Sequence, residues 1–211
     1  MSGVFAARNG LWSAATVLSF DFALLRGQFN VGSGFTMLAL SAVLGGLGFG
    51  VAATISGFVV HEMAHKVTAE RYGFWAEFRV SPTGLLLSIV TAFVGFLFAL
   101  PGATVVGGMG DVREWGKTSL AGPAVNLVEA AAFLGASLIG AFVLDSFAVW
   151  SFFLLLTFFN GWFATFNLIP YGLLDGAKVW RWNRGIWAVS FGGAAAFTLA
   201  VFLTLALPFP A

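Results

Sequence analysis

Long apolar runs separated by short polar stretches dominate the chain. Five of these runs predict membrane-spanning helices. They cover about residues 11–25, 35–70, 119–143, 147–168 and 186–207. A further apolar run, residues 85–100, offers ~16 to 17 residues, which is at or below the lower limit for a span. The pattern therefore predicts an all-α polytopic membrane protein with about five to six transmembrane helices.

The first two runs each carry a complication. Asp21 interrupts residues 11–25, and no convincing small-residue cleavage site follows, so this run is interpreted as an uncleaved helix rather than a signal peptide. As a helix, residues 35–70 would extend for more than about 50 Å against a hydrocarbon core of ~30 Å. We therefore expect this helix to tilt, kink or project into water, and its four glycines near residue 48 to allow close helix packing.

Composition supports the membrane assignment and narrows the chemistry. Apolar residues make up 59% of the chain and charged residues 9%, with a mean hydropathy of +0.94. A soluble chain usually has about 25% charged residues. The net charge of +1 gives no indication of nucleic acid as a partner, so none is expected. The absence of cysteine removes disulfides and thiolate zinc ligands.

The pentapeptide HEMAH contains both histidines of the chain, His61 and His65, with Glu62 between them. On a helix, residues four apart lie on one face, so both imidazoles can reach one ion while Glu62 points at a water bound to it. This is the spacing of zinc metalloproteases. Because no other histidine or cysteine exists, a third protein ligand must be a carboxylate.

The segment FNLIPYGLLDG supplies the first candidate for that carboxylate. Pro170 breaks the preceding helix, and Asp175 follows in an irregular stretch. Irregular backbone at membrane depth is tolerated only where it is buried in protein or lines a wet cavity. Asp175 is therefore placed ahead of Glu129, Asp111 and Glu114. For Glu129, an interior hydrogen-bond partner is the simpler interpretation.

Charge favours a re-entrant segment over residues 85–110. If this segment returns without crossing, all lysines and arginines except Arg26 share one face of the membrane. If residues 85–100 cross, the bias largely vanishes, contrary to the positive-inside tendency. Nine basic residues are concerned: Arg8, Lys66, Arg71, Arg79, Arg113, Lys117, Lys178, Arg181 and Arg184.

The proposed ligands favour the same topology. The HEMAH motif and Asp175 can meet near one face only if an even number of crossings separates them. The runs at 119–143 and 147–168 give that number. A crossing at 85–100 would make it three, unless both motifs lie close to the midplane.

Three motifs together resemble the site-2 protease family of intramembrane zinc metalloproteases. HEMAH ends a hydrophobic helix, AGPAVN heads a later one, and FNLIPYGLLDG follows another, in the order and spacing of that family from about residue 35 to 180. The resemblance implies three ligands for one Zn²⁺ per chain: His61, His65 and Asp175. It also implies Glu62 as the catalytic carboxylate and Asn167 as a polar group beside the scissile carbonyl.

The resemblance further implies a membrane-associated, partly β-like segment after the HExxH helix. Leu173 stands where members of the family often carry proline, which puts the rigidity of the loop before Asp175 in doubt. We also expect residues 1–211 to form a single domain without room for a PDZ or CBS domain.

The function so implied is an intramembrane zinc endopeptidase that cleaves transmembrane segments of membrane proteins. Glu62 would act as the general base toward a zinc-activated water. The expected partners are a transmembrane protein substrate and the lipid bilayer. The expected location is a prokaryotic cell membrane, crossed several times, with the active site nearer the cytoplasmic face. No motif indicates the oligomeric state.

A cleavable transmembrane helix must unwind and be held extended. ATVVGG, residues 103–108, is hypothesised to supply a strand edge that pairs with it. The basic and tryptophan-rich residues 178–187 are interpreted as an interfacial belt.

Two other classes of protein remain as alternatives. A transporter could use an intramembrane carboxylate, but the chain shows no internal repeat or paired broken helices. A proteolytically silent metal-binding or chaperone-like relative would be expected to lack a ligand or the glutamate. Both HExxH and Asp175 are intact here.

Overall fold

The computed structural model describes residues 45, 48–84, 86 and 102–205. This part of the chain is mostly helical and includes a two-stranded sheet. The predicted span at 11–25, the first part of the span at 35–70 and nearly all of the apolar run at 85–100 lie outside the described residues. A π-helical segment, Thr54–Val60, leads into α1 (His61–Arg71), followed by β1 (Trp75–Val80), β2 (Gly102–Gly107), α2 (Val112–Phe142), α3 (Phe147–Asn167), α4 (Asp175–Trp182) and α5 (Arg184–Leu205).

Three of the helices, α2, α3 and α5, are long and apolar enough to cross a membrane. They correspond to the predicted spans at 119–143, 147–168 and 186–207. The chain is therefore compatible with a membrane protein, as predicted.

The start of α2 was predicted incorrectly. The AGPAVN motif was expected to head this helix, but the helix begins at Val112, so Gly122 and Pro123 lie inside it. The reason is a capping box: Asp111 accepts a hydrogen bond from the backbone N–H of Glu114, and the Glu114 side chain accepts one from the backbone N–H of Asp111, at 2.7 and 3.0 Å. These two bonds start the helix in the charged stretch before the apolar run.

Helices α2 and α3 form a hairpin whose turn is tightly packed. A side-chain carbon at Gly140 would lie 2.6 Å from the backbone nitrogen of Trp150, so this close approach requires glycine. The Ser137 hydroxyl also donates to the carbonyl of Trp150 at 3.0 Å. An apolar cluster joins this hairpin to α5 through Leu154 and Val201, among others. The hairpin and α5 therefore form a common helical body.

The sheet after α1 agrees with the β-like segment that the family resemblance implied. β1 and β2 are antiparallel, with Trp75 opposite Gly107 and Val80 opposite Gly102. Phe74 lies just before β1 and stacks on Trp115 of α2, with ring centroids 4.9 Å apart. This contact fixes the sheet against the amino-terminal part of α2.

Candidate metal centre

His61, His65 and Asp175 converge on one point. The Nε2 atoms of the two imidazoles are 3.0 Å apart. Asp175 Oδ2 lies 3.4 Å from His61 Nε2 and 3.0 Å from His65 Nε2. All three residues are buried, with 2, 7 and 8% of their surfaces exposed. The first turns of α1 and the first residue of α4 thus form one group that could hold a metal ion.

The opposite nitrogen of each imidazole faces an oxygen acceptor. His65 Nδ1 lies 2.7 Å from the carbonyl oxygen of Thr118, and His61 Nδ1 lies 2.5 Å from Asn126 Oδ1. Because a carbonyl oxygen can only accept, each Nδ1 carries the hydrogen and each Nε2 presents a lone pair to the cluster. Two lone pairs and a carboxylate repel one another unless a proton or a metal ion lies among them.

The cluster fits zinc in its spacing and in its donors. Zinc bonds of about 2.0–2.1 Å in a tetrahedral site place the ligand atoms about 3.3 Å apart. The measured separations of 3.0 to 3.4 Å are close to that value. Two imidazoles and a carboxylate are also a typical ligand set for catalytic zinc, which leaves one position open.

Gly122 of α2 leaves space in front of the two histidines. A side-chain carbon at this position would lie 2.6 Å from His61 Nε2 and would also contact His65 Nε2. Any larger residue would therefore occupy the space where both lone pairs point. This glycine makes room for an ion between α1 and α2.

Asp175 is held by the close approach of α4 to the end of α3. A side-chain carbon at Gly176 would lie 2.6 Å from the carbonyl oxygen of Ile169 and would contact that of Leu168, so the residue after Asp175 must be glycine. Burial by itself raises the pKa of the Asp175 carboxyl, but when protons rather than a metal ion occupy the cluster, protonated His65 and His61 outweigh burial and hold that pKa below its usual range. Beside a positive charge the carboxylate therefore stays ionised and can serve as a ligand.

Glu62 connects α1 to the sheet. Its carboxylate accepts a hydrogen bond from the backbone N–H of Thr104 at 2.6 Å, and its backbone carbonyl accepts one from the Thr104 hydroxyl at 3.0 Å. Only 9% of its surface is exposed. Strand β2 thus fixes the glutamate of the motif.

The Glu62 contact also shows which edge of β2 is available. The N–H of Thr104 points at Glu62 and not at β1. Since backbone groups alternate along a strand, the N–H of Val106 also points away from β1, whereas that of Val105 points toward it. The edge of β2 beside Glu62 therefore carries outward-facing backbone groups.

Asn167 lies at the last residue of α3. Its Nδ2 donates to the carbonyl of Phe163 at 2.9 Å, within its own helix. In the part of the chain that the structure describes, no hydrogen bond joins Asn167 to the cluster. Its role beside a scissile carbonyl stays a prediction.

The other carboxylates considered as ligands lie elsewhere. Asp111 and Glu114 are exposed and form the capping box of α2. Glu129 is not part of the cluster, and its Oε2 is buried without a hydrogen-bond partner among the described residues. The interior partner expected for Glu129 is thus not found within those residues.

Two residues at the site were missed by the sequence analysis, Thr118 and Asn160. Thr118 acts through its backbone carbonyl, which no side-chain pattern can reveal. Asn160 hydrogen-bonds Asn126 in the interior. A signal for it existed, because an asparagine inside an apolar membrane helix is costly unless it is paired.

Comparison with known proteins gives one informative match. A protein of Methanocaldococcus jannaschii named "Putative zinc metalloprotease" is 38% identical over 140 residues, which cover 64% of this chain and 70% of that protein. No family model matches the chain. No solved structure matches it either.

Fold, site and relative agree on the class of protein. The HExxH motif and Asp175 form a donor cluster suited to zinc, next to helices capable of crossing a membrane. The chain belongs to the zinc metalloprotease family of this relative.

Proposed function

We propose that this chain is an intramembrane zinc endopeptidase of the site-2 protease type, which cleaves transmembrane segments of membrane proteins. The observation that carries the proposal is the convergence of His61, His65 and Asp175 in one buried cluster. His61 and His65 precede two candidate spans, α2 and α3, and Asp175 follows them. A metalloprotease site built between such helices is suited to substrates that lie in the bilayer.

Strand pairing supports the re-entrant topology in this proposal. Val80 at the end of β1 lies opposite Gly102 at the start of β2, so the chain leaves and returns at neighbouring positions. A segment that returns in this way does not change sides of the membrane. Helices α2 and α3 then provide the two crossings that bring Asp175 back to the histidines. With most basic residues on the same side, the site lies nearer the cytoplasmic face of a multi-pass cell membrane protein.

The chemistry of the site follows from its donors. Zinc bound by His61, His65 and Asp175 would lower the pKa of a water ligand to roughly 7 and polarise the substrate carbonyl. The Glu62 carboxylate accepts the proton of the attacking water and delivers one to the leaving amine. The Asn167 amide, which uses one of its two N–H groups on Phe163, has the other to donate to the developing oxyanion.

The outward edge of β2 provides a place for an unwound substrate. A transmembrane helix hides its scissile bond within helical hydrogen bonds, so the substrate must be held extended during cleavage. Addition of the substrate as a further strand would satisfy its exposed backbone groups. Because Thr104 of this edge contacts Glu62, such a strand would lie beside the general base.

The test uses purified full-length protein, reconstituted into liposomes with a transmembrane reporter whose products are identified by mass spectrometry. We expect a cut within the membrane segment, loss of activity with a chelator and its return on adding zinc. Glu62→Gln should retain zinc but cleave about 10²- to 10⁴-fold more slowly, because the general base is lost. Glu70→Gln is the matched control, since Glu70 lies on the same helix but is exposed and pairs with Lys66.

Three results would contradict the proposal. Glu62→Gln could cleave at the wild-type rate, or the wild type could cut only outside the membrane segment. Zinc bound in stoichiometric amount without any cleavage would favour the silent metal-binding relative instead.

A further inference from the structure

A chain of buried amides links α3 to His61. Asn160 Nδ2 donates to the carbonyl of Leu156 at 3.0 Å and to Ser56 Oγ at 3.1 Å. Asn160 Oδ1 accepts from Asn126 Nδ2 at 2.9 Å. Neither asparagine exposes any surface. Asn126 Oδ1 then faces His61 Nδ1, so the chain ends at the candidate metal centre.

Two backbone carbonyls set the direction of this chain. The carbonyl of Leu156 can only accept, so the Asn160 amide must turn its NH₂ group toward it. Asn126 Nδ2 likewise donates to the carbonyl of Gly57 at 2.9 Å. If the Asn126 amide turned over, its oxygen would face the Gly57 and Asn160 oxygens. Each amide therefore has a single orientation in which its partners are complementary.

The direction of these amide hydrogen bonds determines the tautomer of His61. With Asn126 Oδ1 fixed toward it, His61 Nδ1 must carry the hydrogen and Nε2 must carry the lone pair. We propose that Asn160 and Asn126 act as positioning residues, forming an amide relay that fixes this tautomer and so aims the His61 lone pair at the metal centre. The relay orients a zinc ligand only if the proposed zinc site is correct. Its hydrogen bonds, however, can be tested without zinc.

His65 provides an internal comparison. Its Nδ1 faces the backbone carbonyl of Thr118, which no side-chain substitution removes. A substitution in the relay should therefore change the tautomer of His61 and leave the tautomer of His65 unchanged. The chain contains only these two histidines, so labelling histidine with nitrogen-15 reports on both and on nothing else.

The experiment is nitrogen NMR of the labelled, metal-free protein in detergent at alkaline pH, in an Asp175→Ala background that removes the carboxylate facing both Nε2 atoms. With the relay intact, this background should show hydrogen on Nδ1 of both histidines. Adding Asn160→Ser should shift His61 toward the Nε2–H tautomer, because serine can bond within its own helix but is too short to hold Asn126. In protein that retains Asp175, Asn160→Ser should lower zinc affinity about 10- to 100-fold, the usual cost of losing a group that orients a ligand.

A matched control separates positioning from general packing. Thr157→Val is that control: Thr157 is equally buried one turn earlier in α3, but among the described residues its hydroxyl donates only to Phe153 in the same helix. This variant should leave the tautomers of both histidines unchanged.

Four results would overturn the relay. These are an Nε2–H tautomer of His61 in the Asp175→Ala background, an unchanged His61 tautomer when Asn160→Ser is added, a change of tautomer in both histidines together, and loss of folding in Asn160→Ser. The spectrum does not depend on proteolysis. A confirmed relay in a protein that cuts no reporter would therefore contradict the proposed function alone, and an unchanged His61 in an active protease would contradict the relay alone.

Discussion

The two sides of the candidate site are built differently. On the helical side, His61, Asn126 and Asn160 have 2, 0 and 0% of their surfaces exposed and are linked by hydrogen bonds. On the sheet side, Val105 of β2 is 38% exposed, and among the described residues no strand pairs with the edge of β2 that faces away from β1. The asparagines of the helical side are hydrogen-bonded within the protein, whereas the sheet side presents a strand edge.

This difference indicates a division of labour. Burial and hydrogen bonding fix ligand atoms before an ion binds, which favours a metal site. An exposed strand edge has backbone groups to offer to an extended chain. Glu62 joins the two sides, since it lies between the histidines and accepts the Thr104 N–H. Substitutions on the helical side should therefore act on zinc, and substitutions on the sheet side on the substrate.

The largest effect is expected from Asp175→Ala. Removing one of three protein ligands should abolish both stoichiometric zinc and detectable cleavage, as measured by metal analysis and the reporter assay. Glu129→Ala is the control, because Glu129 is a membrane-helix carboxylate outside the cluster. Zinc retained in Asp175→Ala but lost in Glu129→Ala would move the metal site into α2 and contradict the two-sided description.

A smaller but still large effect is expected from Gly122→Ala. The added methyl group would enter the space in front of His61 and His65, so zinc affinity and cleavage should fall together by at least about 10-fold. Gly135→Ala is the matched control in the same helix, since a side-chain carbon there would meet no atom of the described residues within 4 Å. Titration with a competing chelator measures the zinc affinity of each variant, and the reporter assay measures cleavage. Equal zinc affinities in the two variants would show that Gly122 does not border the ion.

The smallest effect should come from the sheet side. Val106→Pro removes an N–H that points away from β1, which an edge strand tolerates. Cleavage should fall about 10-fold with zinc content unchanged, because one backbone bond to the substrate is lost, an effect of about 1.4 kcal/mol. Val106→Ala, which keeps the N–H, is the control.

The opposite result on the sheet side would be informative. If Val106→Pro and Val106→Ala cleave the reporter equally well, the edge of β2 does not bind the substrate. Proline at Val105 should instead disrupt the sheet itself, because that N–H points toward β1.

Local patterns were enough to predict part of this site. The spacing of His61 and His65 is a property of one helix, and Pro170 with Asp175 marks a broken one. The apolar run of α2 does not reveal where the helix starts, because the Asp111 capping box begins it in the charged stretch before that run. Thr118 and Asn160 could not be assigned from spacing, since their contacts to α1 and α2 arise only when distant helices pack. Burial of an asparagine predicts that it has a partner, but not which one.

The most direct test of the account is X-ray absorption at the zinc edge on the purified, zinc-loaded wild-type protein. We expect one zinc per chain, bound by two imidazole nitrogens at about 2.0–2.1 Å, with oxygen atoms as the other ligands and no sulfur. The single pair of histidines makes this count unambiguous. Zinc well below one per chain, or a spectrum that requires fewer than two imidazoles, would contradict the His61, His65 and Asp175 site.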